Sequence, residues 1–220
     1  MSELFLDLAD ATVRSVSVSE MSNNIYLVTS KGDGSQLLID AADDAPAIDG
    51  LVESASSDSK VATKLEGIAT THQHWDHIRA LKEYAERTGV TTFAGAEDVA
   101  GIAAGANVAI DVPLKHGDTV SVGSVILDCV HLRGHTPGSI AYVLRDSGGA
   151  TVIFSGDSLF PGGVGNTQND PQRFTSLHDD VTTRLFEQYP DESLVLPGHG
   201  ATTTLGAEHP NLAEWRVRGW

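Results

Sequence analysis

The sequence predicts a layered α/β domain in which helices cover sheets of β-strands. Short β-type runs alternate with amphipathic helical segments along the 220 residues, and this alternation is typical of sheets that helices cover. Hydrophobic residues make up 40% of the chain and charged residues 20%, which argues against a disordered or membrane-embedded protein. No linker and no internal repeat interrupts the pattern, so we expect one domain over residues 1–220.

The first half of the chain begins with strands and continues with mixed elements. Apolar residues at helix spacing, such as Ile48 and Leu51, give each predicted helix one buried face. A glycine-containing turn, Lys31–Ser35, joins two of the strands. The predicted elements are strands Thr12–Val18, Asn24–Thr29 and Gln36–Asp40, helix Ala45–Ser54, strand Gly67–Thr71, helix His77–Arg87 and a strand–helix unit at Thr91–Ala104.

The second half contains apolar or β-branched runs that are bounded by turn residues, as expected of strands. A glycine-rich loop, Phe160–Thr167, separates the fourth of these strands from a long helical segment. The predicted elements are strands Thr119–Val122, Val125–Val130, Ile140–Leu144 and Thr151–Phe154, helix Pro171–Gln188, strand Ser193–Leu196 and helix Leu212–Arg218.

Charge and composition limit the possible partners and location. The formal net charge of −16 repels phosphate backbones, so we expect no nucleic-acid partner. No apolar run approaches the ~18 residues of a membrane helix, so we expect no membrane partner. Met1–Asp10 lacks the features of a secretory signal. Cys129 is the single cysteine; it lies in an apolar run, where we expect a buried, inert thiol. These features predict a cytoplasmic protein.

One short segment concentrates the groups that bind metals. Residues 71–78 contain the pattern His72-x-His74-x-Asp76-His77. Three imidazoles and a carboxylate are costly to bury unless a bound ion compensates them. Alternation places His72 and His74 on one side of an extended segment. Asp76 and His77 lie where the chain turns, so they can face a second, neighbouring position. Two such pairs suit two neighbouring metal ions.

Three further polar residues follow predicted strands and can complete the site. His135 is bracketed by Gly134 and Gly138, Asp157 ends an apolar strand, and His199 lies between glycines after another strand. A catalytic zinc ion takes about three protein ligands and keeps one position open. The two oxygens of Asp157 can bridge two ions. Loops at strand ends are where rigid scaffolds position reactive groups, so these residues are predicted to converge with the histidine cluster.

These motifs resemble the metallo-β-lactamase superfamily, and within it the hydroxyacylglutathione hydrolases (glyoxalase II). The resemblance runs from Asn24 to Gly200. It implies a four-layer αββα sandwich with two metal ions at one edge, and a supporting role for Asp40 next to the metal loop. The resemblance implies these ligands: His72, His74 and His135 for one metal, Asp76, His77 and His199 for the other, and Asp157 as the bridge.

The expected chemistry is hydrolysis. We expect two Zn²⁺, with Fe or Mn as alternatives, whose bound hydroxide attacks an acyl carbon. Asp76 and Asp157 are the predicted catalytic carboxylates. The resemblance points to a small thioester substrate, but two features depart from glyoxalase II. Only residues 200–220 follow His199, which leaves no room for that family's helical C-terminal domain, and Asn166 stands where those enzymes usually carry arginine. Another thiol or a different ester therefore remains open.

Other functions remain possible at this point. A mononuclear-iron persulfide dioxygenase shares the resemblance, and a lactonase, another ester hydrolase or a non-catalytic metal-binding module are further alternatives. Trp75 is expected to pack or to form a cleft wall rather than to stack on a substrate. The sequence leaves the oligomeric state open. Four other histidines are not expected to bind metal: His116 in a turn, His131 in a strand, His178 on a polar helix face and His209 near the C-terminus.

Overall fold

The computed structural model describes residues 3–219; residues 1, 2 and 220, at the ends of the predicted domain, lie outside this range. Seven strands form the first sheet in the order in which they occur along the chain. The first four pair antiparallel, and the last four pair parallel. They are β1 Glu3–Asp7, β2 Ala11–Val18, β3 Asn23–Ser30, β4 Ser35–Ile39, β5 Lys64–Thr70, β6 Thr91–Gly95 and β7 Val112–Leu114.

The second sheet has six strands in the order β15-β14-β11-β10-β9-β8. Only β11 and β14 pair parallel, and the other pairs are antiparallel. A separate small hairpin, β12–β13, follows β11. The strands are β8 Thr119–Val122, β9 Val125–His131, β10 Ile140–Arg145, β11 Thr151–Gly156, β12 Leu159–Phe160, β13 Gly163–Val164, β14 Leu194–Pro197 and β15 Thr203–Thr204.

Helices contribute to both outer faces of the paired sheets. On the first sheet, Ile48, Leu81 and Ile102, each from a different helix, share one apolar cluster with strand residues. On the second sheet, Leu177 and Trp215 do the same. The helices are α1 Ala45–Ser54, α2 Leu81–Thr88, α3 Val99–Ala106, α4 Pro171–Val181, α5 Leu205–Glu208 and α6 Leu212–Arg218. Across residues 3–219, no helix has the length and apolarity that crossing a bilayer requires.

Alternation along the strands divides the core into three apolar layers. In β3, Tyr26 and Val28 point between the sheets, whereas Ile25 and Leu27 point to the helices of the first sheet. In β10, Tyr142 likewise lies in the central layer and Val143 in the layer beneath the helices of the second sheet. Successive side chains of a strand face opposite sides, so each sheet contributes to two layers. The predicted four-layer αββα sandwich is confirmed.

The buried cysteine is also where the sequence predicts it. Cys129 lies in the central layer with 1% of its surface exposed. Burial raises the pKa of its thiol to about 12, so thiolate is scarce at neutral pH.

The predicted domain over residues 1–220, without a further helical domain at its C-terminus, stays a prediction.

Several predicted boundaries were wrong. The segment His77–Arg87 is not one helix, because the backbone N–H groups of Arg79 and Ala80 donate to the carbonyls of Ala42 and Ala41. A short 3-10 turn, Trp75–His77, precedes that break, and α2 begins only at Leu81.

The long helix predicted over Pro171–Gln188 is also shorter. The α-helical part ends at Val181, and a wider π-helical turn occupies Thr182–Phe186. His178 is not on a polar face: it is buried, and its Nε2 lies 2.9 Å from the carbonyl of Leu212. The packing of the C-terminal segment on α4, which a helix pattern alone does not reveal, explains this error. The loop Phe160–Thr167 includes most of the β12–β13 hairpin. Strands β1, β7 and β15 and helix α5 were not predicted.

Candidate metal centre

All seven side chains that the sequence singles out as ligands meet at one edge of the sandwich. Each comes from a segment that follows a strand: β5, β9, β11 or β14. Their ligand atoms form three overlapping groups, within each of which all atoms lie within 4.8 Å of one another. The groups are His72, His74 and His135; His72, His77 and Asp157; and Asp76, His77 and His199.

In the first group, hydrogen bonds set the tautomers of two imidazoles. Nδ1 of His135 donates to the carbonyl of Asn166 at 2.8 Å. Nδ1 of His72 lies 3.0 Å from Oγ1 of Thr71, which gives its own proton to Asp40 at 2.7 Å and therefore accepts from the imidazole. Burial lowers the pKa of His135 to about 3 and that of His72 well below its usual value. Both rings are thus neutral, with a lone pair on Nε2.

Those two Nε2 atoms are the observation that fits a metal ion. Both are buried, and within residues 3–219 neither has a hydrogen-bond partner. Buried polar atoms are almost always paired, and neutral imidazole nitrogen is the commonest protein ligand for metals. Two such atoms, together with a ligand atom of His74 in the same group, match the ligand number of a catalytic metal site.

In the group of Asp76, His77 and His199, each imidazole is held by an acceptor at its Nδ1. Nδ1 of His77 lies 2.8 Å from Oδ2 of Asp40, and Nδ1 of His199 donates to the carbonyl of Met21 at 2.9 Å. The Nε2 atoms of the two rings are only 3.1 Å apart. Carboxylates that accept from Nδ1–H fix the direction of the imidazole and raise its basicity. Asp40 therefore lies where the sequence predicts a supporting carboxylate.

Charges in the group of Asp76, His77 and His199 favour a cation. Nε2 of His199 lies 3.2 Å from Oδ2 of Asp76, and this hydrogen bond, reinforced by the charge of Asp157, raises the pKa of His199 to about 9. Burial tends to raise the pKa of Asp76, but hydrogen bonds from His199 and Asn23 and the charge of His77 outweigh it and hold that pKa below its usual value. A proton is therefore kept between Nε2 of His199 and Oδ2 of Asp76. A metal ion that binds there would displace this proton.

Asp157 lies between the group of His72, His74 and His135 and the group of Asp76, His77 and His199. Its Oδ1 is 3.5 Å from Nε2 of His77, while its Oδ2 is 3.6 Å from Nε2 of His135 and 3.5 Å from Nε2 of His199. Burial raises its pKa, and its Oδ1 has no hydrogen-bond partner in the described part of the chain. A Cβ at Gly198 would lie 2.4 Å from this Oδ1. Glycine is therefore needed there for the loop to approach the carboxylate.

Asn23 contributes to the site but was not predicted from the sequence. Its side-chain Nδ2 donates to both Oδ2 and the backbone carbonyl of Asp76, at 3.1 Å in each case. It is fully buried at the start of β3 and connects the β2–β3 turn to the ligand segment. A buried polar residue at a strand end was the available signal, but nothing local to Asn23 indicates its partner across the sheet.

Asp98 is the second missed residue, and it joins the two loops that carry the first ligand group. Its Oδ2 accepts from the backbone N–H of Gln73 at 2.9 Å and from Oγ1 of Thr136 at 2.6 Å, and its Oδ1 accepts from the N–H of Gly138 at 2.7 Å. The side chain is buried, and a Cβ at Gly138 would lie 2.4 Å from the backbone nitrogen of Asp98. The carboxylate thus fixes the distance between the loops of His74 and His135.

We expect Asp98→Ala to lower both stability and metal affinity. Two backbone N–H groups and a hydroxyl lose their acceptor, and each unpaired buried group costs about 1–3 kcal/mol. Zinc titration should show weaker binding by about tenfold to a hundredfold, as for other residues that orient ligands. The matched control is Asp111→Ala, which removes a carboxylate that accepts from Thr92 but contacts neither ligand loop. Equal metal affinity in both variants would contradict this role.

Residues outside the ligand groups are placed as follows. Trp75, between two ligands, is 57% exposed, and the guanidinium of Arg79 stacks 4.0 Å from its ring centre; it is thus a surface residue beside the site rather than part of the core. The other histidines are absent from the ligand groups found within residues 3–219. They are His116, His131, His178 and His209.

Comparison with known proteins agrees with this geometry. A family model described as the metallo-beta-lactamase superfamily matches residues 18–199. A hydroxyacylglutathione hydrolase from Thermosynechococcus vestitus is 30% identical over 202 residues, which are 87% of this chain and 72% of that protein.

Two solved structures are also similar. ETHE1 from Myxococcus xanthus has a TM-score of 0.74 at 30% identity, covering 92% of this chain and 84% of that one. The protein TTHA1623, solved in a di-iron-bound form, has a TM-score of 0.68 at 30% identity, covering 89% and 96%. The family match spans the whole segment that carries the seven converging side chains, and the chain belongs to the metallo-beta-lactamase superfamily.

Proposed function

We propose that this chain is a dinuclear metal-dependent hydrolase that cleaves a small acyl thioester. The observation that supports this best is the position of Asp157, whose two oxygens face two groups of three ligands at 3.5–3.6 Å. A single metal ion would leave one of these groups without a cation. The proposal therefore assigns one ion to His72, His74 and His135 and the other to Asp76, His77 and His199, with Asp157 shared.

The donor set suits Zn²⁺, because imidazole nitrogen and carboxylate oxygen are its usual ligands besides thiolate. Iron and manganese accept the same donors, and the similar TTHA1623 structure is titled as a di-iron-bound form. Two divalent ions at this site would lower the pKa of water towards ~7 and polarise a carbonyl oxygen. The metal identity is thus part of the proposal that elemental analysis must decide.

The chain's own residues hold the charge and the proton. Asp76 and Asp157 place two carboxylates against the ligand imidazoles, which limits the net positive charge when cations are bound. Asp157 faces both groups and is therefore positioned to accept the proton that the attacking water loses. The imidazoles of His72 and His135 remain neutral ligands because their Nδ1 protons are engaged elsewhere.

Support for a thioester comes from the similarity to a hydroxyacylglutathione hydrolase. Glutathione itself is not part of the proposal. Asn166, which stands where those enzymes usually carry arginine, uses its backbone carbonyl to hold His135 and its side-chain oxygen to accept from the N–H of Gln168 at 2.7 Å. Its side-chain oxygen therefore serves the local turn, so the thiol part of the substrate is expected to differ.

The test is an assay of metal-loaded protein on a panel of thioesters, lactones, phosphodiesters and β-lactams. We expect thioester hydrolysis with a rate that rises with pH through a limb near ~7. A flat profile from pH 5 to 9 with chemistry rate-limiting, or activity on the other classes alone, would count against the proposal. Protein that is inert on the entire panel with metal bound would favour a non-catalytic module.

A mononuclear-iron dioxygenase acting on a persulfide is the second candidate. One of the three ligand groups, His72, His77 and Asp157, has the two histidines and one carboxylate typical of mononuclear iron oxygenases. One iron per chain together with oxygen consumption on a persulfide would establish this candidate instead. The presence of Asp76 and His199 beside that group favours two ions. The cytoplasmic location and the absence of nucleic-acid and membrane partners remain predictions.

A further inference from the structure

A cleft of about 720 Å³ lies beside the first ligand group. His74 and His135 line it together with Arg133, Arg173 and Gln172. The whole chain has 30 acidic and 14 basic residues, yet none of the described residues that line this cleft is Asp or Glu. The region next to the proposed reaction centre therefore differs in charge from the rest of the protein.

Hydrogen bonds to one carboxylate orient Arg133 at this cleft. Its Nε and Nη2 donate to the two oxygens of Asp180 at 2.7 and 2.6 Å, and its backbone N–H donates to the same carboxylate at 3.0 Å. Asp180 is buried, and Arg184 also lies 3.4 Å from it. Two guanidinium groups thus share one carboxylate. Within residues 3–219, Nη1 of Arg133 has no hydrogen-bond partner, so one edge of the planar group is available.

Arg173 adds a second positive charge. Its Nε donates to the carbonyl of Gly134 at 2.8 Å, its Nη2 donates to the carbonyl of His135, and its Nη1 donates to the amide oxygen of Gln168 at 2.8 Å. All three acceptors are uncharged. Arg173 forms no ion pair with a carboxylate of the described chain, so its charge is not neutralised locally.

We propose that this cleft binds a carboxylate of the substrate and that Arg133 is the residue that recognises it. The inference rests on the proposed hydrolytic function, because it concerns the substrate of the same site. A guanidinium whose orientation is already fixed loses little entropy on binding, and its planar edge matches the geometry of a carboxylate. The charge of Arg173 strengthens the attraction without requiring direct contact.

The short separation between Arg133 and the ligand residue His135 limits the position of the substrate carboxylate. Two peptide units join Arg133 to His135, so their Cα atoms lie at most about 7 Å apart. The carboxylate is therefore expected a few bonds from the scissile carbonyl, as in a half-acid acyl group or a short carboxylate-bearing thiol. A doubly charged phosphate fits less well, because the net charge of the chain is −16 and the carboxylate of Asp180 lies against Arg133.

Matched substrates test this inference on the metal-loaded protein. One pair is a succinyl half-acid thioester and its methyl ester with the same thiol; the other is the acetyl thioester of 3-mercaptopropionate and its methyl ester. We expect the charged member of at least one pair to have a kcat/KM about tenfold to a hundredfold higher, mainly through KM, as for a hydrogen bond between charged groups. The pair that shows the preference identifies which side of the substrate carries the carboxylate.

Two variants assign the preference to this cleft. Arg133→Gln should bring the ratio of charged to neutral kcat/KM close to one. Gln172→Glu, on the first turn of α4, adds a negative charge to the cleft lining and should also bring this ratio close to one. Because it leaves the partner of Asp180 in place, this variant guards against a folding defect in the first one. The control is Arg145→Gln, which loses an exposed arginine paired with Asp128 away from the cleft and should keep the wild-type ratio.

A binding measurement separates this inference from the proposed function. Calorimetry with thioether analogues that cannot be hydrolysed should show tighter binding of the carboxylate form than of its methyl ester, and Arg133→Gln should remove the difference. If no ester is hydrolysed but this difference appears, the hydrolase proposal fails and the carboxylate site stands. Equal binding of both analogues, or a preference that survives in both cleft variants, would overturn the inference.

Discussion

Replacing Asp157 by alanine should reduce turnover by at least about a thousandfold, equivalent to about 4 kcal/mol of transition-state stabilisation. Its carboxylate faces the group of His72, His74 and His135 and the group of Asp76, His77 and His199, so its loss removes the shared ligand and the proton acceptor together. At least one metal ion should bind more weakly. Kinetic assays on the preferred thioester and zinc titration of the same sample measure both effects.

The same variant should not lose stability in its metal-free form. Burial raises the pKa of Asp157, so between its unfolded and folded pKa values the folded state keeps a proton that the unfolded chain has lost. The ionised carboxylate therefore destabilises the fold progressively as pH rises above its unfolded pKa of about 4. Thermal unfolding of metal-free Asp157→Ala at pH 7 should match or exceed the wild type. The control is Asp191→Ala, an exposed carboxylate paired with His209. Near wild-type turnover in Asp157→Ala would contradict the shared role.

Asp40→Asn should weaken metal binding by about tenfold to a hundredfold, the range typical of residues that orient metal ligands. Asp40 accepts from the backbone N–H and the hydroxyl of Thr71, both at 2.7 Å, and from Nδ1 of His77. An amide has only one acceptor oxygen, so in either orientation its NH₂ faces a buried donor. Asparagine also tolerates the left-handed backbone of this position, with φ at 58°, so the loss is confined to the side chain.

Zinc titration and the imidazole nitrogen NMR signals of His77 measure the consequence. A changed His77 tautomer would show that the carboxylate acts through this ring. Asp146→Asn is the matched control, because Asp146 is also buried and accepts from the backbone N–H groups of Ala9, Asp10 and Gly148, outside the ligand groups. It should lose stability but keep its metal affinity. Unchanged affinity in Asp40→Asn would contradict the support assigned to this carboxylate.

The sequence predicted the architecture because its signals are local. Helix α1 has the predicted bounds, since Asp44 accepts from the N–H of Ala47 and so begins the helix where the apolar spacing starts. The cluster of His72, His74, Asp76 and His77 was visible because its spacing is short. His135 and His199, which are distant in sequence, were found because each lies in a glycine-flanked turn after an apolar strand.

Residues whose role depends on distant contacts escaped prediction. Asp98 connects loops at Gln73 and Gly138 that are 25 and 40 positions away, and no local pattern marks such a carboxylate. The break between Trp75–His77 and α2 has the same origin, because carbonyls of residues 41 and 42 capture the N–H groups that a continuous helix would use. The positive charge of the cleft also escaped prediction, because it depends on α4 and the loop of His135 lying side by side.

Two cations are expected to bind to these seven side chains. The most direct measurement is anomalous diffraction at the zinc edge from crystals of zinc-loaded protein. Two peaks are expected, one about 2.0–2.2 Å from the donor atoms of His72, His74 and His135 and the other at the same distance from those of Asp76, His77 and His199, with Asp157 touching both. A single peak at full zinc loading, or peaks away from these residues, would contradict a two-cation site.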